Sequence, residues 1–129
     1  MNGMNILLVG IGGLIGSIFR FLTITIFFNF LNYPTFPYGT LIVNVFGCFV
    51  IGLLSSLAET REAFTPALRT FLFIGVLGGF TTFSSFGYET FNLLRSASFF
   101  PAAMNIVLQV FVGLGAVWAG FTLSRLIWG

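Results

Sequence analysis

Residues 74–91 read IGVLGGFTTFSSFGYETF. Arg69 and Arg95 bracket the apolar run that contains them, and the midpoint of those two charges is residue 82. If this run crosses a bilayer, the segment from Gly78 to Gly87 is centred on the midplane. Paired glycines and four hydroxyl-bearing positions around a phenylalanine are poor material for an unbroken helix. Glycine loses the most backbone entropy, and Ser and Thr side chains compete for backbone hydrogen bonds. Irregular backbone at membrane depth is tolerated only where protein or a water-filled cavity covers it. Broken helices at the midplane are a recurrent way to present carbonyls to cations and donors to anions. The alternative is a kink whose freed groups are bonded by its own Ser and Thr side chains. The expectation is unwound backbone from Thr81 to Phe86.

Composition supports the membrane setting independently. The chain has 129 residues, 57% hydrophobic and 6% charged, with a mean hydropathy of +1.07. Soluble domains carry about 25% charged residues, so eight formal charges (five basic, three acidic) cannot clothe a water-exposed surface. Spanning helices need about 20 mostly apolar residues. Four runs qualify, at about 4–30, 38–58, 67–95 and 101–128. Asn32, Tyr33, Pro34 and Pro37 form the first connection, and Glu59 to Pro66, with three charges and a proline, forms a wet second one. Pro101 suits a first helical turn. MNGMNILLVG has no basic region and its apolar run exceeds that of a signal peptide, so it reads as a retained span. The fold class expected is an all-α membrane protein of four transmembrane helices, one domain over 1–129, with the third helix broken near the midplane.

The same composition excludes much chemistry. Lys, Asp and His are absent, which removes a P-loop lysine, a Schiff base and histidine-based nucleophilic catalysis. With Cys48 as the single cysteine there is no zinc site, and Cys48 reads as a small buried hydrophobe. Five scattered arginines form no basic stripe, so nucleic acid is not expected as a partner. An enzyme is not expected either.

Polar side chains within spans face protein or water. On the second helix, Thr40, Asn44 and Gly47 share a face at i, i+4 and i+7, with Gly52 a looser continuation. Asn44 is either an interhelical hydrogen bond or part of a functional site. On the fourth helix, Asn105 and Gln109 are a turn apart, with Gly113 following; this stripe is a pore lining or a polar helix contact. On the first, Arg20 follows Gly12 and Gly16, and either snorkels to an interface or holds an anion or backbone carbonyls. The spacings Gly12-xxx-Gly16 and Ala116-xxx-Gly120 permit close helix contact. Arginines Arg61, Arg69 and Arg125 on one side against Arg95 and Arg20 on the other give a weak orientation bias. Such a chain is able to insert both ways, as an antiparallel homodimer requires; the alternative is a single orientation set by Arg61 and Arg69. Four short helices fill their own centre, so a water path is expected between subunits.

The string GGFTTFSSF at 78–86 resembles the signature of the small bacterial fluoride channels, the Fluc or CrcB family. GTLIVNVFGCFVIG at 39–52 resembles that family's Gly-Thr followed by Asn, Gly and Phe, and GIGGLIGSIFRF and GLGAVWAGF also fit. The likeness covers the whole chain and implies a passive fluoride-selective channel exporting fluoride across the bacterial cytoplasmic (inner) membrane. It further implies a dual-topology homodimer with two antiparallel pores along the subunit interface. Each path would be lined by Asn44, Phe83 and Phe86, with Thr40, Ser84, Ser85 and Glu89 continuing it and Arg20 near a vestibule. A structural sodium ion would be held at the dimer interface by carbonyls of Gly78 and Thr81. Where some relatives carry aromatic and hydroxyl groups on the fourth helix, this chain has Asn105, Gln109 and Gly113, and Ser85 stands where Thr is common.

Those residue types suit a small, strongly hydrated anion. Ring edges are positive, and neutral amide and hydroxyl donors bind weakly enough to permit exit. The best alternative is a proton-coupled small four-helix drug-efflux transporter, whose chemistry needs a carboxylate in the first helix. This first helix has none, and Glu89, the only acidic residue within a span, lies in the third. A non-transporting assembly subunit would explain the glycines but not polar groups at the midplane.

Overall fold

The computed structural model describes residues 2–62 and 64–129. Four helical spans are each long and apolar enough to cross a membrane: α1 (Gly3–Phe30), α2 (Tyr38–Thr60), α3 (Pro66–Arg95) and α4 (Phe99–Trp128). The fourth begins two residues before the expected Pro101, which leaves that proline in the first turn, where its missing N–H goes unused. The α1–α2 connection turns on Asn32 and Tyr33, at φ 56° and 57°, and the Phe28 and Tyr33 rings meet edge to face at 4.9 Å. Ala97, at φ 58°, turns α3 into α4, and the Ser98 N–H closes the end of α3 on the Leu93 carbonyl at 2.8 Å.

Two close helix pairs build the bundle. Along α1 and the first half of α3, a methyl group added at Gly12 would strike Phe71 and Gly75 backbone. One at Gly16 would strike Val76 and Phe80 backbone, and one at Gly79 would strike Gly13. Along α2 and α4, Gly52 abuts Val117 and Gly120 abuts Phe49. Lipid tails are as apolar as Leu, so spanning helices associate through such close backbone approach. The face of α2 expected to continue to Gly52 therefore ends sooner: Gly47 meets the Thr81 methyl on α3, but Gly52 turns to α4.

The distribution of polarity is inverted relative to a soluble protein. The most enclosed side chains include Thr40, Ser56, Asn105 and Ser124. Leu126, Phe30, Phe111 and Trp118 point outward. An exterior of this kind is matched to hydrocarbon, and the chain is a multi-pass membrane protein.

Within α3 the backbone differs from the expectation in extent. Helical geometry runs to Phe80 and resumes at Phe83. Between them Thr81 (φ −83°, ψ 156°) and Thr82 (φ −149°, ψ 115°) are extended. Phe83, Ser84, Ser85 and Phe86 are helical, because the Thr82 hydroxyl caps the new helix by accepting from the Ser85 N–H at 3.2 Å. Gly78 and Gly79 are helical too. At Gly79 the missing side chain serves close packing on Gly13 of α1 rather than unwinding. The segment Thr70–Leu77 is a π-helix, as is Leu108–Val112 in α4; wide turns of this kind often mark functional sites.

Candidate functional site

An interrupted helix must find other partners for its backbone groups. In an unbroken helix the Thr82 N–H would reach the Gly78 carbonyl four residues back. Here it donates to Asn44 Oδ1 at 2.8 Å, and Asn44 Nδ2 donates to the Thr82 carbonyl at 3.0 Å. One amide side chain thus engages both the N–H and the C=O of Thr82. The Thr81 carbonyl is held from the opposite direction by Arg20 Nη1 at 3.2 Å. Of the alternatives for Arg20, the structure takes the backbone carbonyl. Thr81 also donates through its own hydroxyl to the Leu77 carbonyl at 2.9 Å.

The remaining polar groups extend from this clamp in two directions. Asn44 Nδ2 also donates to Gln109 Oε1 at 3.0 Å, linking α2 to α4. Thr82 Oγ1 donates to Ser85 Oγ at 3.1 Å and lies 3.3 Å from Ser84 Oγ. One turn before Asn44, Thr40 donates to Glu89 Oε1 at 2.7 Å. Thr40 and Asn44 therefore share the face the spacing predicts, and that face is turned onto α3.

Phe83 follows the linker and is 82% exposed on the single chain, with Phe86 beside it at 5.5 Å between ring centroids, tilted 57°. Both rings line a cavity of about 350 Å³ together with Asn44, Gly78, Thr81, Thr82 and Gln109. A second cavity, of about 590 Å³, lies around Thr40, Glu89 and Asn92 and reaches the Pro34–Pro37 connection.

Asn105 stands apart from this group. It is completely enclosed, its Nδ2 donating to Thr90 Oγ1 at 2.9 Å, while that hydroxyl donates to the Phe86 carbonyl at 2.7 Å. It is a contact between α4 and α3, whereas Gln109, one turn on, lines the cavity. Thr82 is the residue that sequence reasoning left unassigned. Its signal was present, since a Thr directly before an apolar helical run is a helix-start mark, but the bond to Asn44 joins residues 38 apart.

Comparison with known proteins agrees with this architecture. Residues 7–121 match the family described as CrcB-like protein, Camphor Resistance (CrcB). The chain belongs to the CrcB family. Among its relatives, a fluoride-specific ion channel FluC of Campylobacter jejuni is 46% identical over 120 residues, covering 93% of this chain and 97% of the relative. A protein of the same name from Agrobacterium fabrum is 44% identical over 122 residues, with 95% and 97% covered. Another, from Flavobacterium psychrophilum, is 41% identical over 117 residues, with 91% and 94% covered. These CrcB-family relatives are aligned over nearly their full length, so the likeness includes all four spans and both stretches that build the clamp.

Proposed function

We propose that this protein is a passive fluoride-selective channel of the bacterial cytoplasmic membrane, working as an antiparallel homodimer with two pores. Its relatives carry the name of that activity, and it is a conduit with no catalytic step. The observation that carries the reading is the placement of Phe83 and Phe86 beside the Asn44–Thr82 clamp and its cavity. At the proposed depth, the bilayer midplane, these groups meet an anion with ring edges and uncharged dipoles. A ring edge attracts an anion and repels a cation, and the absence of a fixed positive charge on the cavity wall keeps binding weak enough for exit.

A large, outward-facing Phe83 favours a covering surface supplied by a second copy, which puts rings from two protomers around one path. Thr40, Glu89, Ser84 and Ser85 continue the route away from the rings, and Arg20 supports the linker that forms it. The residues also fit a structural sodium ion. The Gly78 carbonyl has lost its helical donor to Asn44, and the Thr81 carbonyl keeps a second lone pair beside the Arg20 bond. Carbonyls at such a helix break suit a hard cation, and two protomers would double the set. Bound there, sodium would add positive potential between the pores.

Purified protein in fluoride-loaded liposomes, followed with a fluoride electrode, tests the channel. Protein-dependent efflux is expected, and efflux no faster than from empty liposomes refutes it. Replacing sodium by N-methylglucamine on both sides should slow efflux or weaken the dimer. If neither changes, the sodium proposal falls.

A further inference from the structure

Among the described residues the Thr81 carbonyl has one hydrogen-bond partner, and that partner is charged. In a continuous helix this carbonyl would accept from the Ser85 N–H, which the Thr82 hydroxyl has taken at 3.2 Å. Arg20 Nη1 stands in for it, also at 3.2 Å, reaching across from α1. The guanidinium is partly buried within a span and has no carboxylate beside it. The one ion pair among the described residues joins Arg125 to Glu59, and Glu89 is bonded to Thr40. A charge kept inside a membrane without a counter-charge is costly and by default marks a functional position.

Two demands meet at this oxygen. A carbonyl has two lone pairs; the Thr81 oxygen gives one to Arg20 and, in the sodium reading, the other to the metal ion. Two cations that share one oxygen lie within about 6 Å of each other. Like charges at that range repel strongly even at the effective dielectric of a protein interior, and the repulsion doubles for a divalent ion. No acidic side chain offsets it at the break, where Gly78, Thr81, Thr82 and Asn44 supply uncharged oxygens only.

We propose that Arg20 sets the affinity and the charge limit of the cation site at the α3 break. It holds the linker carbonyl in place, weakens the binding of a monovalent ion and excludes a divalent ion of the same size. The inference rests on the sodium reading above and assigns to Arg20 the control of that site. Charge carries the effect, so Arg20→Lys should keep it. Arg20→Gln, which retains a donor, and Arg20→Met, which does not, should both lose it.

Thermal unfolding of the purified dimer tests this without reference to flux. Protein prepared in N-methylglucamine chloride is titrated with sodium chloride at constant ionic strength. The wild-type melting temperature should rise saturably, and Arg20→Lys should half-saturate at a similar sodium concentration. Arg20→Gln and Arg20→Met should half-saturate at a concentration lower by about tenfold or more, the factor set by removing one like charge at this range. Calcium, close to sodium in radius, should leave the wild-type melting temperature unchanged. The inference is overturned if the neutral variants half-saturate where the wild type does, or if Arg20→Lys shifts as far as Arg20→Gln. A wild-type protein stabilised by calcium as well as by sodium overturns it too, and that comparison decides if neither neutral variant assembles. No response to sodium in any of the proteins removes the sodium reading itself, and the control by Arg20 falls with it.

Discussion

Asn44 carries two tasks that a helix normally divides among successive turns, since it satisfies the N–H and the C=O of the same residue. Asn44→Ala leaves both without a protein partner and should destabilise the fold by about 2–4 kcal/mol. Denaturation in detergent measures this, and a loss well below that would mean water replaces the amide. The phenylalanines belong to a different class of effect. Phe83→Ile and Phe86→Ile keep bulk and apolarity but remove the ring edge. Fluoride flux should fall sharply in each, with dimer assembly retained on gel filtration. Normal flux in both would leave the ring-edge mechanism without support.

The elements are held by contacts that leave no room for a side chain. At Gly16 an added methyl group meets Val76 and Phe80 backbone, which cannot rotate away, whereas at Gly115 it meets nothing within 4 Å. Gly16→Ala should therefore separate α1 from α3 and lower stability by about 1–3 kcal/mol. Gly115→Ala should be neutral or stabilising by up to about 1 kcal/mol through helix propensity. Parallel thermal unfolding of the two variants checks the contrast, and equal melting temperatures would refute the close-packing account. Both glycines lie in apolar helices, so nothing local in the sequence tells them apart. The partner helix does.

For the molecule as a whole, Arg20 and Glu89 apart, charge lies toward the ends and does little to hold it together. Arg125 pairs with Glu59 at 2.5 Å, but both side chains are about half exposed, and Arg69 closes the end of α2 on the Ala58 carbonyl at 2.6 Å. Exposed pairs contribute about 0–1 kcal/mol. Their larger consequence is orientation, where Lys and Arg near the ends of the spans set the direction of insertion. With Arg20 engaged at the Thr81 linker, Arg61, Arg69 and Arg125 face Arg95 alone. The antiparallel proposal requires both orientations nonetheless. A cysteine appended after Gly129 in a Cys48→Ser background should be labelled from outside the cell by an impermeant reagent in about half of the molecules, the split that antiparallel pairing of equal numbers requires despite the arginine excess. Labelling of all or none would end the antiparallel arrangement.

Hydropathy and charge determined four spans and their limits to within two residues, because periodicity and propensity are local properties. The residues of the polar seam were legible as well: Thr40 and Asn44 share a face because a helix fixes their separation. What those side chains do was decided by the tertiary structure. Asn105 and Gln109 have equal standing on one stripe of α4, yet one is enclosed against Thr90 and the other opens to a cavity. Gly78 and Gly79 read as helix breakers and are helical, and Gly79 lies against Gly13 of α1. The unwound backbone shrank to Thr81 and Thr82 once Thr82 capped the helix that follows. Which groups Asn44 joins depends on hydrogen-bond partners 38 and 65 residues away, and only folding brings a donor and its acceptor to 3 Å.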